Sequence, residues 1–103
     1  MRHFYKEIEV VIQQDDGSLS DHLNKLFEEV GEVAQDINKF TKRKSLKSNE
    51  TLSDVKENLT GEIASVIQLL FALAIKTGIS YEELEEKFYL ENDDYKSWLE
   101  TKK

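Results

Sequence analysis

The chain has 103 residues, 39% of them apolar, which suits one modest core, so we expect residues 1–103 to form a single domain. It contains no cysteine, and this excludes disulfides, thiolate nucleophiles and cysteine-based zinc sites. The formal net charge of −7 at pH 7 argues against direct binding to nucleic acid, because a polyanion would be repelled.

The composition favours helices from end to end. There are no prolines and only four glycines, while Glu, Lys and Leu are frequent. No apolar N-terminal signal region is evident, and we expect the apolar run 62–75 to be too short and too interrupted to span a bilayer. The sequence therefore predicts a cytoplasmic protein with no membrane partner.

Apolar residues at helical spacing predict four helices, over residues 2–14, about 20–44, 51–77 and 80–99. Thr51 with Asp54 and Ser80 with Glu83 have the spacing of capping boxes, in which two side chains satisfy the free amides of a helix start. Gly78 is a suitable stop for the third helix. We expect the two histidines, His3 and His22, to lie on the surface.

The third predicted helix is apolar nearly all round, so it needs more cover than three short neighbours provide. The sequence therefore predicts an all-α, four-helix bundle that self-associates. The aromatic residues of the fourth helix, among them Phe88, Tyr95 and Trp98, are expected in the core or at an interface.

Glu62 is the most informative residue because it lies near the middle of that apolar helix. A buried carboxylate is costly unless it is protonated, paired or bound to a metal. The alternatives to a metal ligand are a protonated glutamate, one paired with an asparagine, or one that reaches water where helices cross. Asn58 and Ser65, at i−4 and i+3, flank Glu62 and are placed to hydrogen-bond the carboxylate or its ligand.

The second predicted helix carries the acids that could complete a site. Glu28, Glu29, Glu32 and Asp36 fall within a sector of about 100° beside its apolar stripe. A solvated acidic face is the simplest explanation for these residues alone. Together with Glu62 they favour a divalent-metal site, and ligands that are all oxygen favour Mg²⁺ or Mn²⁺ over zinc. Because Mg²⁺ commonly shares its coordination shell with phosphates, phosphate-ester or phosphoanhydride chemistry is the natural reaction class.

The segments 26–34 (LFEEVGEVA), 61–67 (GEIASVI) and 76–80 (KTGIS) resemble the MazG-like all-α nucleoside triphosphate pyrophosphohydrolases, and the resemblance covers about residues 20–92. These enzymes have a Glu-Glu-x-x-Glu motif on one helix and Glu-x-x-Asp on the next. The resemblance implies a Mg²⁺-dependent oligomer, a dimer or a tetramer, that converts a nucleoside or deoxynucleoside triphosphate to the monophosphate and pyrophosphate.

Carried over by position, the resemblance implies that Glu29, Glu32 and Glu62 ligate metal and that Glu28 either ligates metal or activates water. Glu29 would then serve both binding and catalysis. Lys87 and Asn92 lie where such families place residues that contact substrate, although a charged helix face is the favoured explanation for them. Asn58 is a further candidate for substrate contact.

Ser65 departs from the pattern, since the motif has an aspartate there. A serine hydroxyl is a weak neutral ligand, so the exchange removes one negative charge from the expected site. Asp36, Asn58 or a water could substitute. The alternative function is a weakened or inactive MazG-like protein that serves in interaction or nucleotide sensing, and a purely structural bundle is a third possibility.

Overall fold

The computed structural model describes residues 1–103 as four α-helices with no strand. The helices are α1 (Arg2–Ile12), α2 (Leu19–Phe40), α3 (Leu52–Lys76) and α4 (Tyr81–Glu100). The prediction of an all-α chain with four helices is confirmed.

Capping boxes start three of the helices. Those at Thr51 and Ser80 are as predicted, and a third, from Ser18 to Asp21, starts α2 slightly earlier than expected. α2 also ends at Phe40, before the predicted position 44, and Lys42 follows with a left-handed φ of 62°. Residues 41–44 therefore lie outside the helix, because the left-handed backbone at Lys42 does not continue it.

α3 is the central helix, with α2 packed along it and α1 packed on another part of its surface. The most buried apolar side chains are few, and they come from α1 and α3: Tyr5, Ile8, Val55, Ala72 and Ala74. Many larger apolar residues, including Phe27, Ile63 and Leu70, are exposed. The single chain thus covers only part of its own apolar surface.

α4 is attached mainly through its first turn and has no buried residue. The Tyr5 hydroxyl donates to the carbonyl of Ile79, and the Arg2 guanidinium lies 4.9 Å from the Tyr81 ring centre. Phe88 and Trp98, further along α4, are exposed, so they do not join a core within one chain. The radius of gyration is 16.8 Å, whereas a compact domain of this size has about 13 Å.

His22 is buried, which corrects the prediction that it lies on the surface. Its Nδ1 is 2.8 Å from the carbonyl oxygen of Ser18 and its Nε2 is 3.0 Å from Asp15 Oδ2. The Lys76 ammonium, at the end of α3, donates to the carbonyls of Asp15 and Gly17. The α1–α2 turn is therefore tied to α3 by polar contacts that no hydrophobic pattern could indicate.

α3 as a whole is long and apolar enough, by length and composition alone, to cross a membrane, which corrects the expectation, based on residues 62–75 only, that this stretch is too short. Core helices of soluble proteins meet the same criterion, but only a small share of this apolar stretch is buried within one chain. Much of the apolar surface of α3 is therefore exposed in the single chain.

Candidate functional site

Four carboxylates meet in the seam between α2 and α3, and we call Glu29, Glu32, Asp36 and Glu62 the seam cluster. The three on α2 are spaced i, i+3 and i+7, which places them on one face of that helix. Glu62 approaches from α3, where all three acids raise its pKa by repulsion. Packing of α2 on α3 thus turns two separate sequence features into one cluster.

Glu62 titrates near neutrality. Desolvation is the largest cause, and the nearby side chain of Asp36 and its charge come next, so the pKa of Glu62 is raised from 4.5 to about 7. The half-buried carboxyl lies beside Asp36 and makes no hydrogen bond with Asn58, so the asparagine-paired alternative is not observed, whereas the raised pKa agrees with the protonated alternative. At pH 7 the protonated and ionised forms of Glu62 are similarly populated.

Two buried oxygens of the cluster, Asp36 Oδ2 and Glu62 Oε2, have no hydrogen-bond partner. Ionised carboxylates only accept hydrogen bonds, so these facing acids satisfy each other only when one of them carries a proton. Asp36 is 6% exposed, which leaves water little access to its oxygens. A proton or a cation is therefore needed in the seam.

Glu29 and Glu32 form the outer part of the cluster. Glu29 is 9% exposed and lies 3.3 Å from the Lys25 ammonium, its one nearby cation. The charge of Glu29 is the largest cause of the raised pKa of Glu32. The cluster as a whole therefore favours a positive charge beyond what Lys25 supplies.

The chemistry of the cluster fits a hard cation because all its donors are carboxylate oxygens. No group of three or more His, Cys, Asp or Glu side chains already has an arrangement that could hold a metal ion. Glu29 is turned toward Lys25, so binding would require its side chain to exchange that contact for the cation. The buried oxygens of Asp36 and Glu62 already lack any partner to give up.

The remaining predicted site residues of α2 and α3 lie outside the cluster. Glu28 is exposed and 3.5 Å from the Lys25 ammonium, at the outer edge of the same helix face. Asn58 is exposed and makes no side-chain hydrogen bond, so it does not pair with Glu62. Ser65 is half-buried and lines a groove between α1 and α3, together with Phe4 and Val11.

The two predicted substrate contacts on α4 are also separate from the seam. Lys87 is exposed and forms no ion pair, and Asn92 is half-buried without a side-chain hydrogen bond. α4 does not pack along α2 or α3 within the chain. Any role of these residues at the cluster would need a second chain or a different position of α4.

The sequence places Asp36 on the correct helix face and offers it only as one of three possible substitutes for the missing motif aspartate. The signal was its spacing from Glu29 and Glu32. The spacing could not show that Asp36, rather than Glu28, faces Glu62, because the rotation of α2 about its axis is set by packing.

Comparison with protein-family models, with characterised proteins and with solved structures found no match to this chain.

Proposed function

We propose that the protein is a Mg²⁺-dependent nucleoside or deoxynucleoside triphosphate pyrophosphohydrolase, with Mn²⁺ as a possible substitute, and that it belongs to the MazG-like type. The observation that carries the proposal is the meeting of four carboxylates around two buried oxygens that have no partner. The resemblance of the motif segments adds the reaction class.

In the proposed reaction, the oxygen of a water molecule attacks the α-phosphorus of the triphosphate and the bond to the α,β-bridging oxygen breaks. The products are the monophosphate, which retains the water oxygen, and pyrophosphate. Glu29, Glu32 and Glu62 would hold the Mg²⁺, which when bound neutralises phosphate charge and favours attack by water.

Glu28 is the proposed acceptor of the proton that the attacking water loses. It is exposed at the edge of the cluster, where it would be accessible to a water beside a bound substrate. Its neighbour Lys25, 3.5 Å away, would hold the carboxylate in position for that role. Glu29, deeper in the seam, would orient the same water from the metal side.

The net charge makes a cation necessary for such a substrate. A chain of charge −7 repels a triphosphate, and the acidic seam repels it most strongly at short range. A bound divalent cation reverses that local repulsion. We propose that the protein is cytoplasmic and takes neither nucleic acid nor membrane as a partner.

We also propose that the working form is a homo-oligomer, a dimer or a tetramer. α4 presents exposed Phe88, Tyr89 and Trp98, and an apolar groove of about 470 Å³ between α3 and α4 is lined by Phe71 and Leu84. One chain leaves this surface open, and contiguous exposed apolar surface of this kind marks interfaces. A second copy could also bring Lys87 and Asn92 to a seam cluster.

The direct test is to incubate the purified protein with a panel of nucleoside and deoxynucleoside triphosphates, with Mg²⁺ or Mn²⁺, and to measure pyrophosphate. We expect pyrophosphate and monophosphate in equal amounts, and none when the metal is chelated. Metal binding without pyrophosphate from any triphosphate would favour the inactive, nucleotide-sensing alternative. Neither metal binding nor pyrophosphate would leave only a structural bundle.

A further inference from the structure

Asp36 has the features of a cation ligand. It is 6% exposed, its Oδ2 has no hydrogen-bond partner, and its side chain faces the carboxyl of Glu62 across the seam. Leaving a buried carboxylate without a partner destabilises a fold, so it persists where something in the functional state compensates for it.

Ser65 does not compensate for it. Its side chain belongs to the groove between α1 and α3, where its neighbours include Phe4, Ile8 and Val11. It forms no hydrogen bond with Glu62 or with Asp36, whose buried oxygens both lack partners. The charge that an aspartate at position 65 would contribute is therefore missing from α3.

The position of Asp36 on α2 compensates for that missing charge. It lies one turn beyond Glu32 and two turns beyond Glu29, on the same helix face, and α3 brings Glu62 opposite it. With Asp36 the seam has four carboxylates, three from α2 and one from α3. A chain with the aspartate of the motif at position 65 in place of Asp36 would also have four carboxylates, but two would come from α2 and two from α3.

We propose that Asp36 is a ligand of the divalent cation and that it supplies from α2 the carboxylate that Ser65 fails to supply from α3. The inference rests on the proposed function only in assuming that the seam binds a divalent cation. It does not require that the bound cation turns over a triphosphate.

The test measures cation binding without nucleotide. The full chain is titrated with Mn²⁺, and then with Mg²⁺, by isothermal calorimetry. The wild type is compared with Asp36→Asn and with the matched control Asp16→Asn, since Asp16 is exposed in the turn between α1 and α2. We expect Asp36→Asn to weaken Mn²⁺ binding by at least about tenfold, as loss of a charged ligand does. Asp16→Asn should stay within about twofold of the wild type.

Thermal unfolding distinguishes a ligand from a structural residue. In chelator, Asp36→Asn should melt at or above the wild-type temperature, because an amide relieves an uncompensated charge. In excess Mn²⁺ the order should reverse, since only the wild type gains strongly from the cation. Ser65→Asp in the Asp36→Asn chain should leave Mn²⁺ binding weak, because position 65 faces α1.

Four results would overturn the inference. The first is that Asp36→Asn binds Mn²⁺ within about threefold of the wild type, and the second is that the wild type binds no cation. The third is that Asp36→Asn melts at a lower temperature than the wild type both in chelator and in Mn²⁺. The fourth is that Ser65→Asp fully restores Mn²⁺ binding to the Asp36→Asn chain. If the wild type binds Mn²⁺, Asp36→Asn does not, and neither releases pyrophosphate, Asp36 remains a ligand while the proposed activity fails.

Discussion

Two neighbouring places near the end of α2 bury an acid next to opposite kinds of partner. At the end of α2, the Lys39 ammonium lies 3.0 and 3.1 Å from the two carboxylate oxygens of Glu50, and both side chains are largely buried. One turn earlier, Asp36 meets Glu62 and two oxygens remain without partners. The buried carboxylate thus faces an ammonium at the first place and another carboxyl group at the second.

Glu50 already has its counter-charge, whereas Asp36 and Glu62 have two oxygens without a partner. A hydrogen bond from the backbone amide of Lys47 is the largest cause of the lowered pKa of Glu50, and the Lys39 side chain adds to it. Glu62 has the opposite shift, because desolvation and Asp36 both favour its protonated form. The loop after α2 is thus held by the Lys39–Glu50 ion pair, whereas the seam cluster has no such internal counter-charge for Asp36 and Glu62.

The largest expected effect comes from removing the seam carboxylate on α3. Glu62→Gln should lower metal-dependent pyrophosphate release by about 100-fold or more, because a neutral amide replaces a proposed metal ligand. The measurement is steady-state pyrophosphate release at saturating Mg²⁺. Glu57→Gln is the matched control, since Glu57 is an exposed acid on the same helix, and it should retain wild-type release. A Glu62→Gln variant with more than half of the wild-type rate would contradict the proposed role.

Breaking the Lys39–Glu50 ion pair should lower the stability of the fold and leave metal binding unchanged. Lys39→Met removes the ammonium and leaves Glu50 in a largely buried position, so we expect the melting temperature to fall by more than about 5 °C. The fall should be the same in chelator and in Mn²⁺, as judged by circular dichroism. A change in Mn²⁺ affinity larger than about threefold would mean that Lys39 also acts on the seam.

The pH dependence of stability should show the raised pKa of Glu62 beside Asp36. In the folded chain the pKa of Glu62 is about 7, against an ordinary value of 4.5, so the folded state binds more protons than the unfolded state between these values. In chelator, the contribution of this group is fully present below about pH 4.5 and is lost as the pH rises through about 7. We expect the difference in melting temperature between the wild type and Glu62→Gln to change over that window, with the wild type losing stability as pH rises.

That difference can be measured by thermal unfolding in matched buffers from pH 5 to 8. The Glu62→Gln variant has no titrating group at this position and supplies the baseline. A constant difference across the window would mean that Glu62 is not desolvated beside Asp36.

The smallest expected effect concerns the helix face next to Glu62. A Cβ at Gly61 would meet no atom within 4 Å, so Gly61→Ala should stabilise the isolated chain by about 0.5–1 kcal/mol through reduced backbone freedom when unfolded. Chemical denaturation at low protein concentration measures this. Destabilisation that grows with protein concentration would show that another copy packs closely at Gly61.

The all-α class and the four helices followed from local information, because a capping box or an apolar period involves residues within a few turns of each other. Thr51 and Ser80 predicted two helix starts in this way. The same reasoning failed for His22, whose partners lie in the α1–α2 turn and whose surroundings include the end of α3. It also left Ser65 assigned to the metal face, because a helical wheel does not say which neighbour faces which side.

By itself, the sequence determined that Glu62 is an acid in an apolar helix and that Glu29, Glu32 and Asp36 share one face of another. Only the tertiary structure decided that Asp36 meets Glu62, that Glu28 stays outside and that Lys39 is used by Glu50. The physical reason is that hydrogen-bond periodicity defines a helix face locally, whereas the rotation and register of α2 against α3 depend on side-chain packing along their whole contact.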